Sequence, residues 1–142
     1  MKLNYEHVIQ KILDAPVGEV EKTIREILNC DVCINIIEQN KELDSKFVRK
    51  ITITANGFPV IKATVNFDYD IIPHKIIDEL LRKKEGIGTI LSKNNIKAER
   101  KIISLDIKNE NKLAVRKYQI VVENSTWFEI IEEIRLGSII TN

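Results

Sequence analysis

Neither sign of charge dominates this sequence: 22 Lys and Arg against 21 Asp and Glu leave a formal net charge of +1. A nucleic-acid binder usually concentrates basic residues in a run or on one face, and no such run is present, so nucleic acid is not expected as a partner. Long hydrophobic stretches are missing too. Unbroken apolar runs such as Ile120 to Val122 reach three residues, where a membrane span needs roughly twenty, so a membrane is not expected either. The opening residues Met1 to Glu6 lack the apolar stretch of a secretion signal, and a cytoplasmic location is the expectation.

Metal-ligating residues are scarce. The two cysteines, Cys30 and Cys33, form one C-x-x-C spacing, while the two histidines, His7 and His74, lie in other segments. Zinc takes about four ligands, so structural thiols are the better reading. Asp68, Asp70, His74 and Asp78 follow no helical ligand spacing and read as solvated loop and helix-start residues. No G-x-S-x-G, Walker or dinucleotide fingerprint occurs, which leaves covalent serine chemistry and nucleotide binding without support. No metal and no organic cofactor is expected.

What is present is a chain of 142 residues with 44% hydrophobic and 30% charged side chains, enough for one globular domain over residues 1–142. Tyr5, Val8, Ile9, Ile12 and Leu13 recur at helical spacing behind a candidate Asn4 cap, and Val17, Val20, Ile24, Ile27 and Leu28 do so after Pro16. The period then changes to two: Val32, Ile34 and Ile36 alternate within Asp31 to Glu38, with Cys30 ending the helix and Cys33 in the strand. A hairpin around Asn56-Gly57 follows. A three-residue loop, Ala55-Asn56-Gly57, is expected, because it would pair Ile51 with Ile61 and bring the apolar faces together, whereas a two-residue turn would pair Ile51 with Lys62. Pro73 opens a helix lined by Ile76, Ile77, Leu80 and Leu81, and Glu85-Gly86-Ile87-Gly88 leads into a short segment at Thr89 to Leu91. Three more strands are expected, near Ile96 to Ile107, Leu113 to Val122 and Trp127 to Leu136. Strands joined by short turns imply a largely antiparallel sheet with helices packed on it, an α+β fold.

Charged residues on the apolar parity of these strands are the informative feature. Arg49 lies between Phe47 and Ile51, Arg116 between Ala114 and Tyr118, and Glu132 between Ile130 and Ile134. A buried guanidinium without a partner is costly, so each arginine needs an anion, supplied either by the protein or by a ligand. Arg100 shares parity with Ile96, Ala98 and Ile102, but the apolar parity changes at Ile103, so a bulge is expected near Ile102. Three arginines and one glutamate facing one half-barrel would suit a small, multiply anionic ligand. Internal salt bridging and strand-end snorkelling are the alternatives. Gly86-Ile87-Gly88 could present backbone N–H groups to a carboxylate or could simply be a helix-terminating turn.

In their order and spacing, several segments resemble the chorismate pyruvate-lyase (4-hydroxybenzoate synthase) family, in particular its compact branch. They are Phe47-Val48-Arg49-Lys50-Ile51, Asn56-Gly57-x-Pro59, Gly86-Ile87-Gly88-x-x-Leu91, Glu99-Arg100 and a last strand carrying Glu132-Glu133, with Pro16 to Glu38 preceding them. The resemblance runs from about Ala15 to Leu136 and implies a six-stranded antiparallel sheet with helices on one side, enclosing an aromatic-acid site. It further implies that Arg49 and the backbone N–H of Ile87, next to Gly88, hold the ring carboxylate while a C-terminal glutamate addresses the ring hydroxyl end. The sequence departs from the family in having Gly86 before the aliphatic-glycine pair. A basic residue of the second hairpin arm falls near Thr64, so Arg100 or Arg116 would supply the second cation. Alignment can favour Glu133 as the glutamate, and strand facing favours Glu132.

The expected activity is therefore elimination of pyruvate from chorismate to give 4-hydroxybenzoate, with Glu132 accepting or relaying the ring proton and Arg49 fixing the substrate. The first rival is a non-catalytic domain of the same fold that senses a small aromatic acid, as in the effector domains of some transcription regulators. Those domains are attached to a DNA-binding helix-turn-helix, and the residues before the first hairpin lack an obvious basic recognition helix. A structural or subunit-interaction protein is the third reading. Oligomeric state is not legible at this level.

Overall fold

A computed structural model describes residues 4–137; Met1 to Leu3, part of the stretch read for a secretion signal, lie outside the described residues. The chain opens with helices α1 (Tyr5–Asp14) and α2 (Val20–Leu28), followed by strands β1 (Val32–Lys41), β2 (Lys46–Ala55) and β3 (Phe58–Asp68). Helices α3 (His74–Leu81) and α4 (Ile87–Lys93) come next, then β4 (Glu99–Lys108), β5 (Leu113–Val122) and β6 (Ser125–Arg135). The strands form one antiparallel sheet in the order β1-β2-β3-β6-β5-β4, so β6 inserts between β3 and β5. This is the expected six-stranded α+β architecture. No helix among the described residues is long and apolar enough to cross a membrane.

Local chemistry accounts for most element boundaries. The Asn4 side chain accepts a hydrogen bond from the His7 backbone N–H at 3.1 Å, capping α1 as expected. Pro73 stands directly before α3, where its fixed φ of −56° suits a helix entry. Helix α2 ends on Asn29 in the left-handed region, which puts Cys30 in the turn rather than in the helix. The last strand hairpin uses Glu123 and Asn124, both at positive φ, as its two turn residues.

The β2–β3 hairpin corrects the three-residue expectation. Ala55 pairs with Phe58 across a two-residue turn of Asn56 and Gly57, both at positive φ as type I′ turns require. The register then shifts: Thr54 pairs with Pro59 but Ile53 pairs with Ile61, leaving Val60 as an extra residue. That bulge restores the apolar match that the tight turn alone would lose, and Ile51 faces Ala63 rather than Ile61. A second bulge, at Ile37, lets Gln39 pair with Arg49. A third lies between Ile102 and Ser104, where the change of parity placed it.

The helices pack on one face of the sheet. One apolar cluster joins α3 and α4 to Val65, Phe67, Ile120 and Phe128, and a second joins α1 and α2 to Ile53, Ile61 and Ile134. Fully buried Ile24, Leu80, Ile90 and Ile134 each contribute about 1.5–3 kcal/mol, which is what holds both helix pairs on the sheet.

Candidate ligand-binding site

The largest fully buried side chain is an arginine. Arg49, on β2, is 0% exposed, and no carboxylate forms an ion pair with it among the described residues. Its Nε donates to Gln39 Oε1 at 2.7 Å, Nη1 to the Glu85 carbonyl at 2.9 Å and Nη2 to the Leu80 carbonyl at 2.7 Å. Leu80 lies in the last turn of α3, so its carbonyl carries the partial negative charge of a helix C-terminus and offsets part of the cation's cost. The offset is incomplete: burial pushes the Arg49 pKa down to about 10. A guanidinium has five N–H groups, and three are engaged.

Arg49 also lines a cavity of about 80 Å³ at the boundary between the two apolar clusters, several times the roughly 10–15 Å³ that one water needs. Its wall is mainly apolar, with Ile51, Val65, Ile87 and Ile120 among the lining residues, and its polar members include Arg49, Arg100, Glu21, Tyr118 and Glu132. A wider groove of about 670 Å³ near Trp127 is edged by exposed Asn95, Lys97 and Glu99, and no buried charge lines it.

Arg100, on β4, is partly buried and lines the same cavity. Its Nη1 donates to the Ala15 carbonyl at 2.7 Å, its guanidinium lies 5.0 Å from the centre of the Tyr118 ring, and its Nε has no partner. No carboxylate pairs with it among the described residues.

Arg116 has the opposite situation. It is 1% exposed, its Nε donates to Glu132 Oε1 at 2.6 Å and its Nη1 donates to the Leu13 carbonyl at 3.2 Å. It is absent from the cavity wall, so of the two candidates for a second cation, Arg100 is the one placed at the cavity and Arg116 is corrected to an internal ion-pair member. The reason is register: β5 and β6 set Arg116 directly opposite Glu132. Glu132 does reach the cavity, but its second oxygen accepts from the Tyr118 hydroxyl at 2.9 Å. Both oxygens of this carboxylate are thus held by protein donors. Burial, with Glu132 alongside, raises the Tyr118 pKa, so the phenol stays a donor.

Glu133 is corrected as well: successive residues of a strand face opposite ways, so it lies on the outer face and pairs with Arg135. Ile87 and Gly88, at the start of α4, line the cavity. The glycine at 88 answers to packing, since a Cβ there would sit 2.5 Å from the Gly18 Cα. Gly18 itself has φ of +92° in the α1–α2 connection.

Three participants escaped the sequence reading. Gln39 stands beyond the alternation that ends at Glu38, and the Ile37 bulge that turns it inward has no local signature. Glu21 lies on the first turn of α2, where acidic residues are common for helix-dipole reasons alone; it lines the cavity and burial raises its pKa. Tyr118 was visible as an inward residue, but nothing in one strand shows that its hydroxyl meets Glu132.

No family model and no curated protein sequence matches the chain. Among solved structures, it is similar to a domain described as the ligand-binding domain of a regulator assigned to the GntR transcriptional family in Bordetella bronchiseptica. The TM-score is 0.52 at 9% identity, over 78% of this chain and 90% of that one. A GntR-family transcriptional regulator from Bacillus cereus also aligns, with a TM-score of 0.44 at 13% identity over 79% and 96% of the two chains. The first likeness shows the fold, which is the chorismate lyase-like one.

Proposed function

We propose that the domain binds a small organic acid, preferentially aromatic, as a non-catalytic effector-binding module. The observation that carries this reading is Arg49: a fully buried guanidinium beside an apolar cavity, with no carboxylate partner and two N–H groups unused among the described residues. A carboxylate entering the cavity would supply the missing anion through charge-assisted hydrogen bonds. The apolar lining suits a ring, and Arg100 offers a second cation for a dicarboxylate.

Binding is favoured over turnover by the state of Glu132. A general base must have an oxygen available to take a proton. Here Arg116 donates to one oxygen and Tyr118 to the other, so both oxygens already serve protein donors and the carboxylate is held in place by them. Likeness to a regulator's ligand-binding domain agrees with this preference without deciding it, because function lives in the site.

Elimination of pyruvate from chorismate is the second reading, supported by Arg49 and Arg100 as an unpaired cation pair on a wall that also holds Glu132. One experiment separates the two. Purified protein is titrated calorimetrically with 4-hydroxybenzoate, benzoate and chorismate, and pyruvate release is followed in parallel. Saturable heat without pyruvate supports the binding module, whereas pyruvate and 4-hydroxybenzoate appearing together above the spontaneous rate supports the lyase. Neither heat nor product would remove both.

A further inference from the structure

Strand β4 ends the sheet, and among the described residues no strand lies on its far side. It is a long edge for an exposed one, ten residues, and carries Ile102, Ile103, Leu105 and Ile107 at 39–50% exposure. Soluble proteins normally blunt or cover such an edge, because its unpaired N–H and C=O groups template another strand. Both edges carry charged residues and a bulge, but β1 exposes one large apolar side chain, Ile37, where β4 exposes four. β4 therefore calls for an occupant.

We propose that the occupant is β4 of a second copy of this chain, paired antiparallel about a two-fold axis to make a twelve-strand sheet across a homodimer. The bulge decides the register. Because Ile103 is the extra residue, Arg100, Ile102, Leu105 and Ile107 all pair with inward-facing residues of β5, and Glu99, Lys101, Asp106 and Lys108 share the outer face. Antiparallel partners must share a face. Setting Lys101 opposite the second copy's Asp106 satisfies this on both sides of the bulge: Glu99 meets Lys108, Ile102 meets Leu105 and Arg100 meets Ile107, with the bulge residues Ile103 and Ser104 at the axis.

Charge then selects this register over its neighbours. The outer face becomes a checkerboard, since Asp106 and Lys108 already lie 3.3 Å apart within one strand and each gains an opposite charge across the axis. Sliding by two residues puts Glu99 against Asp106 in one direction and Lys101 against Lys108 in the other, and like charges directly opposite are unfavourable. The two-fold repeats every pair, so each complementary contact counts twice.

Sedimentation velocity from about 1 to 200 μM tests this, with circular dichroism to confirm folding. Wild type is expected to dimerise, and Lys101→Glu or Asp106→Lys to weaken the dimer about tenfold, each turning two attractive pairs repulsive. The double variant K101E/D106K recreates both pairs in reverse and is expected to recover wild-type association within about threefold. Amide exchange gives a readout without substitutions: protection in β4 should rise with protein concentration. A wild type that stays monomeric, or a dimer indifferent to the single reversals, overturns the proposal.

Discussion

Replacing Arg49 with methionine separates what this residue does for the fold from what it does for a ligand. Burial has pushed its pKa from 12.5 to about 10, so holding the charge costs about 3 kcal/mol, which an apolar side chain of similar length would not incur. Against that, three hydrogen bonds disappear. The Leu80 carbonyl keeps the Lys83 N–H and the Gln39 amide as donors, but Gln39 Oε1 and the Glu85 carbonyl lose the donor that Arg49 supplied. The buried Gln39 acceptor and the half-buried Glu85 carbonyl, left unmatched, cost up to about 1–3 kcal/mol each. The opposing effects nearly cancel, and Arg49→Met is expected to change stability by no more than about 3 kcal/mol in chemical denaturation. Ligand affinity has no such compensation. Two charge-assisted hydrogen bonds are worth about 1.5–3 kcal/mol each, so binding of 4-hydroxybenzoate, read by calorimetry, should weaken roughly a hundredfold or more. A variant that binds as tightly as wild type would refute the assignment of Arg49 as the anion receptor. One that fails to fold would make the guanidinium a structural element instead.

Arg100→Met should lower affinity for a dicarboxylate by about tenfold while leaving a monocarboxylate within about threefold; equal losses would place Arg100 outside the second subsite. Glu132→Gln strands a buried Arg116 without its anion and should cost about 3–5 kcal/mol in denaturant unfolding, and a loss under 1 kcal/mol would show the pair to be dispensable. Glu21 has its pKa raised by burial, so the folded state binds more protons than the unfolded one between the ordinary carboxylate value and the raised one. Its contribution to stability therefore falls as pH rises through that window. Glu21→Gln should flatten this slope in melting curves and raise anion affinity severalfold at neutral pH; an unchanged slope would remove the residue from the account. Gly88→Ala forces a methyl against the Gly18 backbone and should destabilise by about 1–3 kcal/mol in thermal unfolding, with a neutral outcome showing that the α1–α2 connection yields.

Legibility differed by kind of feature. The facing of Arg49, Arg116 and Glu132 could be read because a strand alternates with a period of two, and each stood among apolar neighbours of its own parity. The Ile102 bulge was legible for the same reason, as a break in parity within one strand. The bulges at Ile37 and Val60 were not: the first follows the end of an apolar alternation, and the second sits inside an apolar run where either face accepts it. Glu133 was resolvable in principle, since a neighbour of inward Glu132 must face out.

Taken alone, the sequence determined which side chains enter the helix-covered face, because that choice depends on each strand's own repeat and on burial of its apolar half. It could not determine which of those charges neutralise one another. That was decided by β6 threading between β3 and β5, which puts Glu132 opposite Arg116, and by α3 ending its carbonyls against Arg49. Pairing is a property of strand order and register, contacts distant along the chain, and only the folded arrangement shows Arg49 beside a cavity with no carboxylate partner among the described residues.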